Sequence, residues 1–590
     1  MDRCASKWIA SSPVTVREKQ HSGNRRSRRR IVEVRLRGRD LLHDPLLNKG
    51  SAFTAEERQA FGLEGLLPHR PISMEQQAAR TWRNCGAYSD PLKKYVFLAS
   101  LQDRNEHLYF RLLRDHLVEL MPIVYTPTVG LATQRFSHVF QRGRGLWITP
   151  DMRGRIPQVL RNWARGRDVR LLVVTDNESI LGIGDQGAGG MAIAIGKLAL
   201  YTAGAGIDPA QVLPVSLDVG TDNEGLRSDP AYLGWPQPRL RGDAYLALLD
   251  EFVAAVAECF PAAMIQWEDF RKDNALHVLD RYADRLPSFN DDIQGTGAMA
   301  LAGILSAARV HGRSLAAERI VILGAGAAGL GIARQLRAGL KARGVAERDA
   351  RHAIAAMDSR GLLVAGSELR DGYKRELAWD PDVAAQYGLA AGSDLATVVR
   401  QFQPTVLIGT SGQPGAFSEA IVRDLAARTE RPVIMPLSNP SALAEAQPED
   451  LIAWTDGRAL VSAGSPFPSV RWRDREIAIG QGNNAFIFPG VGLAVLVGAI
   501  GCVSDELFFA AAEALAGAVT PQELQRGLLY PGIQRMPDVA RAVARAVLER
   551  ARSLGLTRRN DEVPVDAALD AAQWEPVYPV YVAADPASRD

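Results

Sequence analysis

The sequence predicts an α/β fold in which a helical N-terminal region precedes two blocks of alternating strands and helices. Helical patterns fill residues 41–120 and are interrupted by loops that contain proline and glycine. From residue 170 onward, short apolar runs alternate with glycine-rich turns and helical stretches, and a second block of this kind begins near residue 319. This alternation is typical of α/β domains. A chain of 590 residues is also too long for one core, so we expect roughly two to four domains.

Charge is unevenly distributed along the chain, whose net charge is +2. Residues 1–40 contain 12 Lys and Arg against 4 Asp and Glu, whereas the remainder contains 57 against 63. A mildly acidic body gives no reason to expect a nucleic-acid partner. We predict that residues 1–40 form a basic, disordered tail. An Arg- and Ser-rich transit peptide is the alternative, and the acidic residues within the tail disfavour it.

The four cysteines, Cys4, Cys85, Cys259 and Cys502, are far apart and show no metal-ligand spacing. They indicate reduced thiols and a cytoplasmic location rather than a disulfide framework. One uncharged run of 18 residues, 486–503, is interrupted by a proline and four glycines. We expect this run to be a buried loop and helix, and we expect no association with a membrane.

The apolar runs divide the α/β region into two blocks. In the first block, strands are expected at residues 170–175, 212–217 and 262–267. In the second block, five strands are expected at residues 319–323, 353–357, 405–409, 433–437 and 459–462. Five strands with helices between them predict a doubly wound, Rossmann-type sheet that binds a dinucleotide. The junction lies near residues 285–295, so we predict domains at 41–290 and 291–550 and a C-terminal arm at 551–590.

A glycine-rich loop, formed by Gly324, Gly326 and Gly329, follows a predicted strand directly and precedes a predicted helix. Such glycines permit a tight turn and the close approach of a pyrophosphate, and the helix N-terminus supplies N–H donors. Asp358 ends the next strand, 34 residues after Gly324, so an insertion between helix and strand is required. The alternative, a helix start without a ligand, is disfavoured by this complete order of elements. A second glycine pattern, at 182–187, lacks the preceding strand and the acid, and we interpret it as a structural or substrate-side turn.

The residues after the second strand bear on the choice of cofactor. Asp358 at this place favours the ribose 2′-hydroxyl of NAD, whereas the adjacent Ser359 and Arg360 can accept the 2′-phosphate of NADP. Both features are present, so the sequence leaves NAD or NADP open, with NADP or dual use slightly favoured.

Two pairs of acidic residues follow predicted strands. Glu268 and Asp269 end the strand at 262–267, and Asp291 and Asp292 lie at the proposed domain junction. Carboxylates at strand ends beside a cleft are the hard oxygen ligands that Mg²⁺ or Mn²⁺ requires. For any single pair a solvated turn is the usual explanation, but two pairs at the mouth of one cleft favour a metal site.

Lys197 is the only charged residue between Asp185 and Asp208. A lysine in such apolar surroundings has its ammonium form disfavoured, which lowers its pKa toward the range of a general base. The alternative, left open by these residues alone, is a lysine whose apolar stem is buried while its ammonium group reaches water.

Together these motifs resemble the malic enzyme family, which includes the malolactic enzymes. The matching segments are PIVYTPTVG at 122–130, ILGIGD at 180–185, IGKL at 195–198, WEDF at 267–270, FNDDIQGT at 289–296, LSNP at 437–440 and GQGNN at 480–484. The resemblance covers roughly residues 41–550, and several motifs are too long for chance matches. It implies that residues 41–290 bind malate and metal, that residues 291–550 bind NAD or NADP, and that the chain forms a homodimer or homotetramer.

The resemblance also implies a metal site and a proton-transfer pair. The family's ligands of Mg²⁺ or Mn²⁺ correspond here to Glu268, Asp269 and Asp292. Its general base corresponds to Lys197, which Asp291 would assist in taking the proton of the C2 hydroxyl of L-malate as hydride passes to the nicotinamide.

Two further roles come from the same resemblance. Tyr125 would protonate C3 of enolpyruvate to give pyruvate. The substrate carboxylates would be held by amide N–H groups of Asn439, Asn483 and Asn484.

Ser179 departs from the family pattern, because typical malic enzymes have an arginine that binds malate at this position. A serine cannot provide the charge-assisted, bidentate contact that arginine gives a carboxylate. Malolactic-type relatives also lack this arginine, so decarboxylation to lactate with a retained cofactor is the alternative activity. Two more alternatives are a catalytically weakened regulatory or binding protein and a Rossmann dehydrogenase that does not decarboxylate.

Overall fold

The structure, a computed structural model, describes residues 14–16, 31–369, 371–559 and 561–584. These residues form two compact units. The first unit contains the described residues up to Asn177, residues Asp185–Ala263, and the described residues from Gln573 onward. The second contains Glu178–Gly184 and Met264–Ala572. The chain therefore enters the second unit before the junction that the sequence predicts at 285–295.

Helices are the main secondary structure of the first unit. They are α1 (Gly38–His43), α2 (Ala55–Ala60), α3 (Met74–Gly86), α4 (Pro91–Gln102), α5 (Glu106–Asp115), α6 (Leu117–Val124), α7 (Thr128–Gln134), α8 (Phe136–Val139), α9 (Ile156–Ala164), α10 (Met191–Ala205), α11 (Glu224–Ser228) and α12 (Gly242–Cys259). Several begin with a side chain that accepts a backbone N–H, as Asn105 does at the start of α5. Such N-caps satisfy donors that the first turn of a helix cannot pair internally.

The strands of the first unit that precede residue 263 are β1 (Val14–Val16), β2 (Ile31–Val34), β3 (Leu146–Ile148), β4 (Leu171–Thr175) and β5 (Val212–Leu217). Strands β3, β5 and β4 lie side by side in that order and are parallel. Helix α10 packs on β4 and β5. The strands expected at 170–175 and 212–217 are thus confirmed as β4 and β5.

One helix among the described residues, Gly187–Ala205, is long and apolar enough to cross a membrane by length and composition. However, 94% of its most apolar stretch is buried inside the protein. That burial is what a core helix shows, because its apolar side chains pack against protein on every side.

The second unit alternates strands and helices. Its strands are β6 (Met264–Trp267), β7 (Ser288–Asn290), β8 (Ile320–Leu323), β9 (Ile354–Asp358), β10 (Gly361–Leu362), β11 (Val406–Gly409), β12 (Val433–Pro436), β13 (Leu460–Ala463), β14 (Val470–Trp472), β15 (Arg475–Ile477) and β16 (Gly480–Gln481). Its helices are α13 (Lys272–Tyr282), α14 (Thr296–His311), α15 (Ala327–Ala342), α16 (Glu347–His352), α17 (Pro381–Gln386), α18 (Leu395–Phe402), α19 (Glu419–Arg428), α20 (Pro448–Trp454), α21 (Phe488–Gly498), α22 (Asp505–Ala518), α23 (Pro521–Gln525), α24 (Met536–Ser553) and α25 (Val565–Ala572). Helix α21 is buried, as expected for the uncharged run.

The largest sheet has the strand order β10-β9-β8-β11-β12-β13-β16. Strand β10 is antiparallel to β9, and the other neighbours are parallel. The chain proceeds from β8 to β9 on one side and returns to β11 on the other, which opens a crevice at the carboxyl ends of β8 and β11. All five predicted strands of this block are present, and the α/β, Rossmann-type fold class is confirmed.

The C-terminal strand β17 (Val580–Ala583) belongs to the first unit and pairs in parallel with β2. Val34, on β2, packs with Tyr581, Phe53 and Phe61 in a buried cluster. The prediction of a disordered tail over 1–40 is therefore wrong for β2, because a distant strand pairs with it. Residues 1–13 and 17–30 of that tail lie outside the described residues. The predicted C-terminal arm contains the helix α25 and the strand β17.

In the second unit, α15 lies against the turn Asp291–Gly295, which precedes α14. Gly331 of α15 is at the point of closest approach, where an added Cβ would lie 2.0 Å from the backbone oxygen of Ile293. No side chain fits at that distance, so the contact fixes the position of the turn relative to the sheet helices.

We expect Gly331→Ala to lower the free energy of unfolding by roughly 1–3 kcal/mol, because the new methyl group must displace backbone. The matched control is Gly517→Ala in α22, where an added Cβ meets nothing within 4 Å. Helix propensity alone predicts that this control is stabilised by up to about 1 kcal/mol. Calorimetry compares the two thermal midpoints. Equal midpoints for the two variants would show that the contact is not tight.

Candidate active site

Acidic side chains follow two neighbouring strands of the second unit. Glu268 and Asp269 come directly after β6, and Asp291 and Asp292 come directly after β7, which pairs in parallel with β6. The carboxyl ends of parallel strands meet at one edge, so these residues are brought together. One carboxylate oxygen from each of Glu268, Asp269 and Asp292 lies within 4.8 Å of the other two. Three hard oxygen donors at this spacing suit Mg²⁺ or Mn²⁺.

Backbone and side-chain donors hold these carboxylates in place. The N–H of Asp269 donates to Oδ2 of Asp292 at 2.8 Å, and the N–H of Leu181 donates to Oδ2 of Asp269 at 3.0 Å. Gln266 donates its amide to Oε2 of Glu268 at 2.6 Å. Asp269 has a φ of +54°, a left-handed conformation that Asp tolerates better than most residues. Since like charges this close repel one another, the donor set favours a bound cation.

Asp291 is not one of the three carboxylates that meet within 4.8 Å of one another. It is fully buried and begins a π-helical turn, Asp291–Gly295; such turns are frequent at functional sites. The amide of Asn484 donates to Oδ2 of Asp291 at 3.0 Å and to Oγ1 of Thr296 at 3.0 Å. The amide N–H groups of Asn484 therefore point at Asp291 and at the start of α14. These hydrogen bonds orient the Asp291 carboxylate.

The other two predicted amides differ in exposure. Asn483 is buried, and its Oδ1 accepts the N–H of Ala485. Asn439 is exposed, and its Oδ1 accepts from Oγ of Ser465 at 2.6 Å. Because Ser465 fixes the oxygen end of the amide, the nitrogen of Asn439 is presented as a donor. Contact with a substrate carboxylate stays a prediction for all three asparagines and is best supported for Asn439.

Ser179 lies beside the metal-ligand residues within the second unit. Its N–H donates to the backbone oxygen of Asp269 at 3.1 Å. This bond holds the segment Glu178–Gly184 against the strand end that carries the ligands. A serine side chain here is neutral, so it contributes no charge to the grip on an anionic substrate.

The first unit contains two of the residues predicted to transfer protons, Lys197 and Tyr125. Lys197 lies in the middle of α10 with an exposed fraction of 2%, and Tyr125 follows α6 and is also buried. The Lys197 ammonium nitrogen is 5.6 Å from the centroid of the Tyr125 ring. Gly196 permits this approach, because an added Cβ there would lie 2.8 Å from the backbone oxygen of Val124. The alternative of a lysine with its ammonium group in water is wrong, and the structure brings the pair together.

The predicted dinucleotide loop links β8 to α15. Gly324 has a φ of +118°, and an added Cβ on Gly329 would lie 1.8 Å from the backbone oxygen of Gly324. Oγ1 of Thr410, after β11, donates to that same oxygen at 2.9 Å. Beside Gly326 there is open space, at the N-terminus of α15. The loop thus forms a cradle that fits a pyrophosphate.

Asp358 ends β9, where an acid is expected to meet the adenosine ribose. Lys374 donates its ammonium group to Oδ2 of Asp358 at 2.6 Å, and the N–H of Arg360 donates to Oδ1 at 2.8 Å. Burial alone raises the pKa of Asp358, but these donors and the positive charges of Lys374 and Arg360 outweigh it, so the pKa lies below its ordinary value. Lys374 lies in a short 3₁₀ turn, Gly372–Glu376, and no motif or spacing in the sequence marks it as a partner of Asp358.

Comparisons with known proteins agree with this geometry. The family model "Malic enzyme, N-terminal domain" matches residues 102–283, and the model "Malic enzyme, NAD binding domain" matches residues 293–552. The chain is 45% identical over 551 residues to NAD-dependent malic enzyme 3 of Bacillus subtilis (strain 168). The aligned region covers 93% of this chain and 97% of that relative. It is 45% identical over 542 residues to the NAD-dependent malic enzyme of Sodalis glossinidius, covering 92% and 96%.

Solved structures with the same fold are also malic enzymes. The enzyme from Entamoeba histolytica matches with a TM-score of 0.54 and 21% identity, over 87% of this chain and 90% of that one. The enzyme from Pyrococcus horikoshii matches with a TM-score of 0.52 and 21% identity, over 77% and 88%. At this identity the match shows the fold.

We expect Glu268→Gln and Asp269→Asn each to weaken Mn²⁺ binding at least about tenfold, because each removes a charged ligand. Asp291→Asn is the matched control, since it removes a neighbouring buried carboxylate outside the three. Isothermal titration with Mn²⁺ alone, without substrate or cofactor, measures all three variants. If Asp291→Asn lost as much affinity as the other two, the division between ligands and Asp291 would be wrong.

Proposed function

The chain belongs to the malic enzyme family, and we propose that it oxidises L-malate at C2 with a nicotinamide dinucleotide and decarboxylates it at C4 to pyruvate. The observation that carries this proposal is the convergence of Glu268, Asp269 and Asp292 in the unit that also carries the Gly324 loop. An oxidoreductase of this kind needs both an oxygen-rich cation site and a pyrophosphate cradle. The curated relatives, named NAD-dependent malic enzymes, support the same activity.

The three carboxylates fit Mg²⁺ or Mn²⁺, and we assign them as its ligands. A divalent cation bound there would act as a Lewis acid toward the oxygen on C2 of the substrate. The backbone N–H groups of Leu181 and Asp269 aim the carboxylates before any substrate arrives. Preorganised ligands spare the reaction the cost of rearranging them.

Proton transfers are assigned to the protein's own side chains. As C2 gives a hydride to the nicotinamide ring, Lys197, assisted by Asp291, accepts the proton of the C2 hydroxyl. The C3–C4 bond then breaks, C4 leaves as CO₂, and the phenolic O–H of Tyr125 protonates C3. Lys197 is buried, so bulk water does not compete with it for the proton of the C2 hydroxyl, and a general base must lie within hydrogen-bond reach of the proton that it accepts. The amide nitrogen of Asn439 donates to a substrate carboxylate.

For the cofactor we propose a preference for NAD over NADP. The sequence alone slightly favours NADP or the use of both dinucleotides. Asp358 is held in its ionised form, so it accepts hydrogen bonds from ribose hydroxyls and repels a 2′-phosphate. Lys374 and Arg360 are engaged with Asp358 and do not offer a free cation pair. The names of the relatives support NAD as well.

We also propose that the chain works in the cytoplasm as a homodimer or homotetramer. Cys85, Cys259 and Cys502 are free thiols, which supports a reducing compartment. At the start of α4, Tyr88 is exposed and its ring lies 5.8 Å from that of the half-buried Phe97. Clustered aromatic side chains at a surface are typical of subunit interfaces.

With L-malate, Mn²⁺ and NAD⁺, we expect one NADH and one pyruvate for each malate consumed. We expect Tyr125→Phe to lower kcat by roughly 10²–10⁴-fold, because it removes the proton donor while keeping the ring beside Lys197. Absorbance at 340 nm and chromatography of the products measure both.

Tyr109→Phe is the control for this variant, since it removes the hydroxyl of another buried tyrosine of the first unit and should keep kcat. Lactate without NADH would identify a malolactic enzyme, the activity that Ser179 leaves open. Unchanged turnover in Tyr125→Phe would remove this residue from the mechanism.

We expect Asp358→Ala to raise the ratio of kcat/KM for NADP⁺ to that for NAD⁺ by roughly tenfold or more, because Lys374 and Arg360 are then released toward a 2′-phosphate. Asp394→Ala, which removes the cap of α18 in the same unit, should leave the ratio unchanged. Steady-state kinetics with each dinucleotide supply the ratios. A parent enzyme that already prefers NADP⁺ would contradict the assignment.

A further inference from the structure

Glu445 lies in the segment between β12 and α20 and is fully buried, with an exposed fraction of 0%. Its Oε1 accepts three hydrogen bonds, from N–H of Ser411 at 2.7 Å, Oγ of Ser411 at 2.8 Å and Oγ of Ser438 at 2.6 Å. Within the described part of the chain, Oε2 has no hydrogen-bond partner. A carboxylate removed from water and only half satisfied is costly for stability, which suggests a role beyond folding.

The three bonds join the ends of two neighbouring strands. Ser411 lies in the loop after β11, and Ser438 lies in the loop after β12. Oγ of Ser438 also accepts the N–H of Gly412 at 2.9 Å, so the two loops are tied twice. Both loops lie at the carboxyl edge of the sheet, where a dinucleotide binds in folds of this type.

Each loop also contacts a part of the candidate active site. Thr410, immediately before Ser411, donates to the backbone oxygen of Gly324 in the dinucleotide loop. Asn439, immediately after Ser438, is the exposed amide assigned to malate. A continuous set of contacts therefore runs from Gly324 through Glu445 to Asn439.

The sheet makes room for this carboxylate. An added Cβ on Gly409, the last residue of β11, would lie 2.4 Å from the carboxyl carbon of Glu445. Only a glycine at the end of β11 leaves space for the Glu445 side chain beneath the loop. Gly409 is therefore required for the position of Glu445.

We propose that Glu445 is a positioning residue that couples the cofactor loop to Asn439. Binding of the dinucleotide then favours binding of malate. The proposal rests on the assignment of Asn439 to malate given above. Glu445 touches neither ligand. It sets the loop after β11 through Ser411 and the loop after β12 through Ser438, and a bound dinucleotide that orders the first loop thereby orders the second.

Three variants separate the contact of Glu445 with the loop after β11 from its contact with the loop after β12. Ser411→Ala removes the Oγ bond to Glu445 on the side of the cofactor loop and keeps the backbone N–H bond. It is expected to raise the KM for NAD⁺ more than that for malate. Ser438→Ala removes the bond toward Asn439 and is expected to raise mainly the KM for malate. Glu445→Gln is expected to raise both KM values roughly tenfold, since an amide cannot accept three donors at one site with the strength of a carboxylate. Steady-state kinetics of the full-length enzyme measure all three.

Glu318→Gln is the matched control. Glu318 is an equally buried carboxylate of the same unit, which accepts from Oγ1 of Thr405. It precedes β8 and so lies at the opposite edge of the sheet. This variant should lower the thermal midpoint while leaving both KM values unchanged.

Loss of thermal stability in Glu445→Gln with both KM values intact would overturn the proposal and leave a structural role. If that variant fails to fold, equal effects of Ser411→Ala and Ser438→Ala on the two KM values would overturn it. Asn439→Ala tests the underlying assignment separately. An unchanged KM for malate in Asn439→Ala would reject the malate contact itself, whatever Glu445→Gln shows.

Discussion

The mutual repulsion of closely spaced carboxylates is the constraint on which the active-site unit depends. Glu268, Asp269 and Asp292 are held with one oxygen each within 4.8 Å of the others, which is unfavourable until a cation neutralises them. The protein holds them there with backbone N–H groups, a left-handed residue at Asp269 and two parallel strands that end together. The energy needed to gather these charges is offset when a divalent ion binds, so the site selects its ion through geometry and charge.

The residues predicted to bind the dinucleotide also follow the carboxyl ends of parallel strands. The Gly324 loop, the loops after β11 and β12, and Asp358 all lie at carboxyl ends of parallel strands. Hydrogen bonds that Thr410 and Lys374 donate, and those that Glu445 accepts, join these loops to one another or fix their charges. Within the second unit, the predicted cofactor residues lie at the carboxyl ends of the dinucleotide sheet, and the three clustered carboxylates follow β6 and β7 of another sheet. Lys197 and Tyr125 are buried in the first unit.

Local patterns made most of the fold predictable, and they pointed to the acidic residues that the structure brings together. Strand runs, the glycine loop and the acids at strand ends each involve residues close in sequence, and the motif matches identified the family from them. Lys374 and Glu445 could not be found in this way, because an isolated charge between strands is usually solvated. Only the folded chain shows that Lys374 pairs with Asp358 and that Glu445 is buried. The pairing of β2 with β17 joins residues about 550 positions apart, and no local signal in the basic tail indicates it.

The most direct test of the central claim is the location of a bound ion. A crystal of the enzyme soaked with Mn²⁺ and measured at a wavelength that gives an anomalous signal from manganese shows where the ion sits. We expect a single strong peak within direct-coordination distance of one oxygen each from Glu268, Asp269 and Asp292. A peak coordinated instead by Asp291, or no peak at this cluster at saturating Mn²⁺, would contradict it.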